Sequence, residues 1–132
     1  MRKIAPYLEL LGRILLGSIF VGGAFLKIPG TASFVSQVAL AMRAGLPYPM
    51  LAVLLALPVE LLGGAALIVG WRAREAAAIL ALLTLAFALI FHSNFSDPVE
   101  LSQFTLHLTL IGGLLYAAVY GAQSFALRKD AP

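Results

Sequence analysis

The sequence predicts an all-α membrane protein, a four-transmembrane-helix bundle with an amphipathic or re-entrant helix in its first outer loop. Two observations predict this class. Hydrophobic residues make up 61% of the chain and charged residues only 11%, whereas a soluble domain carries about 25% charged residues. In addition, four stretches are long enough to cross about 30 Å of hydrocarbon as helices of roughly 20 residues. We therefore expect residues 1–132 to form a single membrane domain in the lipid bilayer.

The first predicted span covers about residues 8–26 and has a cation near each end, Arg13 and Lys27. Fourteen residues separate them, which places them about 21 Å apart along a helix and within roughly 40° of the same face. This spacing indicates two positions on one interior-facing stripe. Lys27 can alternatively extend outward to the lipid headgroups, as lysines at span ends often do.

The first outer loop contains a predicted helix at about residues 32–44. Thr31 or Ser33 can cap its start, Phe34 and Val38 recur at helical spacing, and Gly45 follows its end. We expect an amphipathic helix on the outer face. It is either a lid over a polar cavity or an interfacial helix without a special role.

The remaining spans are predicted at about residues 51–69, 75–91 and 104–123, the first two joined by the short turn GWRAR. Lysine and arginine predict the orientation, because cytoplasmic segments are enriched in them. One side of the four-pass arrangement receives three basic pairs: Arg2 and Lys3, Arg72 and Arg74, Arg128 and Lys129. We therefore expect both termini to lie in the cytoplasm.

Composition also limits the chemistry. The chain contains no cysteine, which excludes disulfides, thiolate metal sites and iron–sulfur ligation within it. Redox work would need a borrowed electron carrier. The net charge of +3 comes from basic residues that are scattered or lie at span ends, so no nucleic-acid partner is expected.

Glu60 is the most informative residue, because it lies in the middle of the second span. A charged group at that depth costs about 2.5–3.5 kcal/mol on insertion scales, so it faces the bundle interior and finds a partner. Arg13 is long enough to extend toward it, and Lys27 lies at the outer end of the same stripe. Either a purely structural ion pair or a ligand-binding site satisfies this pattern.

Polar residues also gather at the outer ends of the third and fourth spans. His92 ends the third span, and Gln103 and His107 share one face of the fourth. Two histidines on adjacent helices can ligate a haem or a metal, or hydrogen-bond a quinone carbonyl. Simple interfacial hydrogen bonding is commoner, so neither a haem nor a metal is expected.

Glycine pairs recur in three spans, where small residues let helix backbones approach closely in lipid. We expect them to serve helix packing: Gly22 and Gly23, Gly63 and Gly64, Gly112 and Gly113.

In this order and spacing, the motifs resemble the DoxX family of small four-span bacterial membrane proteins. The resemblance runs from about Leu11 to Tyr116 and is carried by GRILLGSIFVGGAFLKI, AGLPYP, PVELLGGAALIVGWRAR, IFHSNF and LIGGLLY. Many members have Lys-Asn just before the last glycine pair, where this chain has Leu106 and His107. The resemblance implies the bacterial cytoplasmic (inner) membrane, quinone-coupled sulfur oxidation, redox-stress complexes and, among relatives, assembly roles.

Three functions remain open at this stage. The leading hypothesis is a subunit without an intrinsic cofactor that binds a quinone or another lipophilic redox molecule and supports an oxidoreductase. Lys27 or a histidine would stabilise a quinone carbonyl, and Glu60 would relay protons. The alternatives are an assembly or partner-binding module, with a protein partner or a homo-oligomer, and a small proton-coupled transporter.

Overall fold

Five helices form the fold, as described by a computed structural model over residues 3–128. They are α1 (Ala5–Phe25), α2 (Ala32–Arg43), α3 (Pro49–Val69), α4 (Ala73–Phe91) and α5 (Pro98–Tyr120), and no strand occurs within this part of the chain. All except α2 are long and apolar enough to cross a membrane. The predicted fold class is confirmed. Arg2 and Lys129, used above to predict orientation, lie outside the described residues.

Helix ends follow local signals in the sequence. α5 begins at Pro98, six residues before the predicted start of the fourth span, because the Asp97 carboxylate accepts a hydrogen bond from the Val99 amide at 2.8 Å. Proline at the first helical position needs no amide partner. α2 begins in the same manner, since the Thr31 hydroxyl accepts from the Phe34 amide.

The closest helix contact joins α1 and α3 at Gly17 and Gly64. A Cβ atom at Gly17 would lie 2.6 Å from the Gly64 carbonyl oxygen, and one at Gly64 would lie 2.7 Å from the Gly17 oxygen. Only glycine allows two backbones to approach this closely in lipid. Farther along α1, Gly23 lies next to Glu60. Residue numbers therefore increase along α1 while those of the contacting residues on α3 decrease, so the two helices are antiparallel.

The predicted glycine pairs divide in two. A Cβ at Gly63 would meet the Leu80 side chain, and one at Gly113 would meet Leu16, so these positions serve packing together with Gly23 and Gly64. Gly22 and Gly112 would meet nothing within 4 Å. Adjacent residues on a helix point about 100° apart, so one glycine of a pair can face a neighbouring helix while the other does not. For these two glycines the packing role stays a prediction.

The buried core is formed by side chains from all four long helices, chiefly Phe20, Leu67, Leu80 and Leu114. α2 packs separately, through Phe34 and Ala41, on Val53 of α3. We call this side of the bundle the α2 end. The opposite side, where the α3–α4 turn lies, is the turn end.

Valine at Gly17 should destabilise the protein, because its side chain would collide with the α3 backbone. Overpacking costs about 1–3 kcal/mol even where side chains can yield, and the Gly64 carbonyl cannot yield easily. The control is Gly22→Val on the same helix, which faces open space. Thermal unfolding in detergent should show a lower midpoint for Gly17→Val alone; equal midpoints would contradict the close α1–α3 contact.

Candidate functional site

A buried ion pair joins α3 to the segment that follows α1. The Lys27 Nζ atom lies 2.9 Å from Glu60 Oε2, and both side chains are buried. The ammonium also donates to the Gly23 carbonyl oxygen at 3.2 Å and lies 5.8 Å from the centre of the Phe87 ring. A lysine has three N–H donors, so one proton remains available to a ligand.

The direction of the Lys27 side chain follows from helix geometry. Side chains on a helix lean toward its N-terminus, so a lysine just beyond the last turn of α1 points back into the bundle. Gly23 leaves space for the pair, since a Cβ there would lie 3.0 Å from Glu60 Oε2. The alternative interpretation, in which Lys27 extends to the headgroups, is wrong.

Arg13 is buried on the interior-facing stripe, but it does not pair with Glu60, although its length would allow it. The same lean toward the N-terminus carries its guanidinium away from Glu60 and toward the turn end. There Nη2 donates to the Ser124 and Phe125 carbonyl oxygens at 2.6 and 3.1 Å, and Nη1 donates to the Ile68 oxygen at 3.4 Å.

Glu9, one turn before Arg13, completes a clamp on the segment that follows α5. Its carboxylate accepts hydrogen bonds from the Gln123 and Ser124 amides at 2.7 and 3.2 Å. The Leu127 amide then donates to the Val69 oxygen at 2.9 Å. Arg13 and Glu9 thus tie residues 123–128 to the turn end, away from the predicted polar site.

The two histidines lie together at the α2 end, with ring centres 5.0 Å apart. His92 Nδ1 lies 2.7 Å from Glu100 Oε2, and His107 Nδ1 lies 2.8 Å from the Gln103 carbonyl oxygen. Carbonyl and carboxylate oxygens only accept, so each Nδ1 carries the proton. In the neutral form of such a ring, Nε2 is an acceptor.

A cavity of about 560 Å³ connects these groups. Side chains from α1 to α5 line it, and most are apolar. Of the predicted polar stripe, the residues on its wall are Lys27, Glu60, His92 and His107. Arg13 and Gln103 are absent from the wall; the Gln103 residue is exposed and contributes only its carbonyl oxygen to His107.

Two further polar residues on this wall were missed from the predicted site. Gln37 comes from α2, three residues after the buried Phe34 and four before the buried Ala41, so its spacing could have revealed it. Thr84 lies eight residues before His92 on one face of α4 and donates its hydroxyl to the Leu80 oxygen at 2.7 Å. α2 therefore forms one wall of the cavity.

Within residues 3–128, no three side chains of His, Cys, Asp or Glu come close enough together to hold a metal ion.

Comparison with known proteins identifies the family. The DoxX family model matches residues 8–93, which span most of α1 and all of α2, α3 and α4. The chain belongs to the DoxX family. This DoxX protein is also 35% identical to the inner membrane protein YqjF of Escherichia coli (strain K12) over 129 residues, 98% of this chain and 95% of the relative. No solved structure matches it. The α5 residues His107 and Gln103 lie beyond the family match.

Removing one member of the Lys27–Glu60 pair should cost far more than removing both. Breaking a buried pair leaves an uncompensated charge and costs about 3–5 kcal/mol. We expect Lys27→Met to lower the unfolding midpoint strongly, and Lys27→Met combined with Glu60→Gln to recover most of the loss. The control is the exposed Arg72–Glu75 pair, whose charged atoms lie 3.0 Å apart; replacing either residue should change the unfolding midpoint little. If the double variant at positions 27 and 60 lost as much stability as the two single variants added together, Lys27 and Glu60 would not be coupled.

Methionine at Arg13 should release the segment after α5. The lost hydrogen bonds involve a charged donor and contribute about 1.5–3 kcal/mol. Amide hydrogen exchange of residues 123–128 should therefore accelerate by at least about tenfold. Arg43→Met, at the exposed end of α2, should leave this exchange unchanged. Unaltered protection in Arg13→Met would show that the clamp does not hold the segment.

Proposed function

We propose that this DoxX protein is a multi-pass protein of the bacterial inner membrane that binds a quinone or a similar lipophilic redox molecule. In this proposal it supports a membrane oxidoreductase and has both termini in the cytoplasm. The observation that carries the binding proposal is the cavity of about 560 Å³ whose wall includes both a buried ion pair and two histidines. Binding pockets usually combine an apolar wall with a few convergent polar groups.

The hydrogen-bonding groups favour a head with oxygens at both ends. Lys27 has a donor left after bonding Glu60 and Gly23 and can stabilise a carbonyl oxygen or a phenolate. His92 and His107 offer Nε2 acceptors, which suit the hydroxyl of a reduced ring. A quinone and its hydroquinone have this pattern. The chain itself contains no cysteine, so the electron carrier would be the bound molecule.

The apolar part of the wall supports entry from the bilayer. Leu55 on α3 and Ile90 on α4 line the cavity, and their residues are exposed by 60% and 38%. In this proposal a molecule dissolved in the hydrocarbon enters between these two helices and reaches the polar groups without crossing water. This route favours a lipophilic ligand over a water-soluble one.

A second candidate function is a partner-binding or assembly module without chemistry. It is favoured by α5, of which only 11% is buried, the lowest share among the four long helices. A helix so exposed has a face free to contact another membrane protein or a second copy of the chain. Under this reading the cavity ion pair would be structural.

Direct titration tests the leading proposal. Purified protein in nanodiscs should bind a decyl-tailed benzoquinone or its hydroquinone saturably in calorimetry. Lys27→Met and His107→Gln should each weaken binding by about tenfold, which corresponds to about 1.4 kcal/mol. His107 makes its hydrogen bond within α5, so that variant should fold normally.

Arg72→Gln at the turn end is the control and should bind as the unaltered protein does, because its side chain is exposed outside the cavity. Absence of saturable binding would overturn the quinone proposal. Recovery of a specific protein partner that is lost when α5 is altered, without any quinone binding, would instead support the assembly module.

A further inference from the structure

A second, smaller cavity continues the first along the same two helices. Its volume is about 240 Å³, and Val59 lines both cavities. Every side chain on its wall is apolar, with four residues from α3 and two from α4: Pro58, Val59, Leu62, Gly63, Ala76 and Ile79. The two cavities therefore adjoin, one with polar groups and one without.

The two cavities lie on a continuous seam between α3 and α4. On α4, lining residues recur every three or four positions, which is one helix face: Ala76, Ile79, Leu83, Ala86 and Ile90. On α3 the matching face carries Ala52, Leu55, Val59 and Leu62. Residues 76 to 90 span about 21 Å along a helix axis, so the seam covers most of the hydrocarbon thickness.

Small residues line the base of this seam, where Gly63 packs against the Leu80 side chain. Gly63 and Ala76 present little or no side chain, and Pro58 occupies a helix position without an amide donor. The larger side chains along the seam turn partly outward, since Leu62 and Ile79 are exposed by 68% and 52%. The result is an apolar groove that faces the bilayer. We call it the tail groove, defined by Val59, Leu62, Gly63, Ala76 and Ile79.

We propose that the tail groove holds the hydrocarbon tail of the same molecule whose polar head lies between the Lys27–Glu60 pair and the histidines. This inference rests on the proposed function and makes its ligand more specific: an amphiphile with one polar ring and a long linear tail. The tail groove is continuous with the larger cavity, because both are lined by Val59, the neighbour of Glu60 in sequence.

The arrangement also fixes the direction of the ligand. The histidines lie at the α2 end, Glu60 lies in the middle of α3, and the tail groove runs from there toward the turn end. The head thus lies toward the α2 end, and the tail extends past the middle of α3 toward the turn end. The ligand would therefore point the same way as a lipid of the leaflet on the α2 side, with its tail reaching beyond the middle of the bilayer.

Photo-crosslinking tests the position of the tail. The probe is a benzoquinone with a decyl tail that ends in a diazirine, added to the full chain in nanodiscs. We expect adducts on tail-groove residues, located by mass spectrometry. An excess of the tail-less benzoquinone should remove them, because it displaces the head. Ile79→Trp should fill the groove and reduce these adducts by about tenfold, in line with an overpacking cost of about 1–3 kcal/mol.

Leu82→Trp is the matched control: the residue is on the same helix, 68% exposed and on neither cavity wall, so groove adducts should persist. Adducts spread over the lipid-facing sides of all spans, or groove adducts that the tail-less ring does not remove, would show ordinary membrane lipid in the groove and overturn the inference. If the inference is overturned in this way but the tail-less ring binds saturably in calorimetry, the proposed function still stands. If neither probe binds, the proposed function and the tail-groove inference both fail.

Discussion

The ion pair between Lys27 and Glu60 is the constraint on which the rest of the site depends. A lone carboxylate in the hydrocarbon region is costly, so Glu60 requires a cation within hydrogen-bonding distance and the 2.9 Å contact supplies it. The pair also shapes its surroundings, since a Cβ at position 23 would lie only 3.0 Å from the Glu60 carboxylate, where glycine leaves the space free. The same pair lies on the wall of the cavity.

Arg13 and Lys27 are two cations on one face of the first span, but their side chains make contacts at opposite ends of the bundle. Both lean toward the N-terminus of α1. For Lys27 this direction leads inward to Glu60, and for Arg13 it leads outward to the carbonyl oxygens of Ser124 and Phe125. The clamp fixes the turn end of the bundle, which leaves the α2 end and the seam between α3 and α4 as the open parts of the molecule.

α3 packs closely against α1 on one side and leaves a groove beside α4 on the other. α1 and α3 meet backbone to backbone at Gly17 and Gly64, which anchors the helix that carries Glu60. On its other side, α3 faces α4 across small residues and leaves an apolar groove beside the charged pair. A close helix contact thus positions the polar groups, and an apolar groove lies beside them.

Composition and spacing determined the membrane class, the four spans, the helix in the first loop and the need for Glu60 to face inward, because length, hydropathy and the cost of a buried charge are properties of the chain itself. Only the tertiary structure decided which cation pairs with Glu60, since the pairing depends on helix register and side-chain direction. It likewise placed His92 beside His107, brought Gln37 of α2 to the cavity, and assigned Arg13 to a segment 111 residues away. Such contacts arise between helices, and no spacing within one helix can specify them.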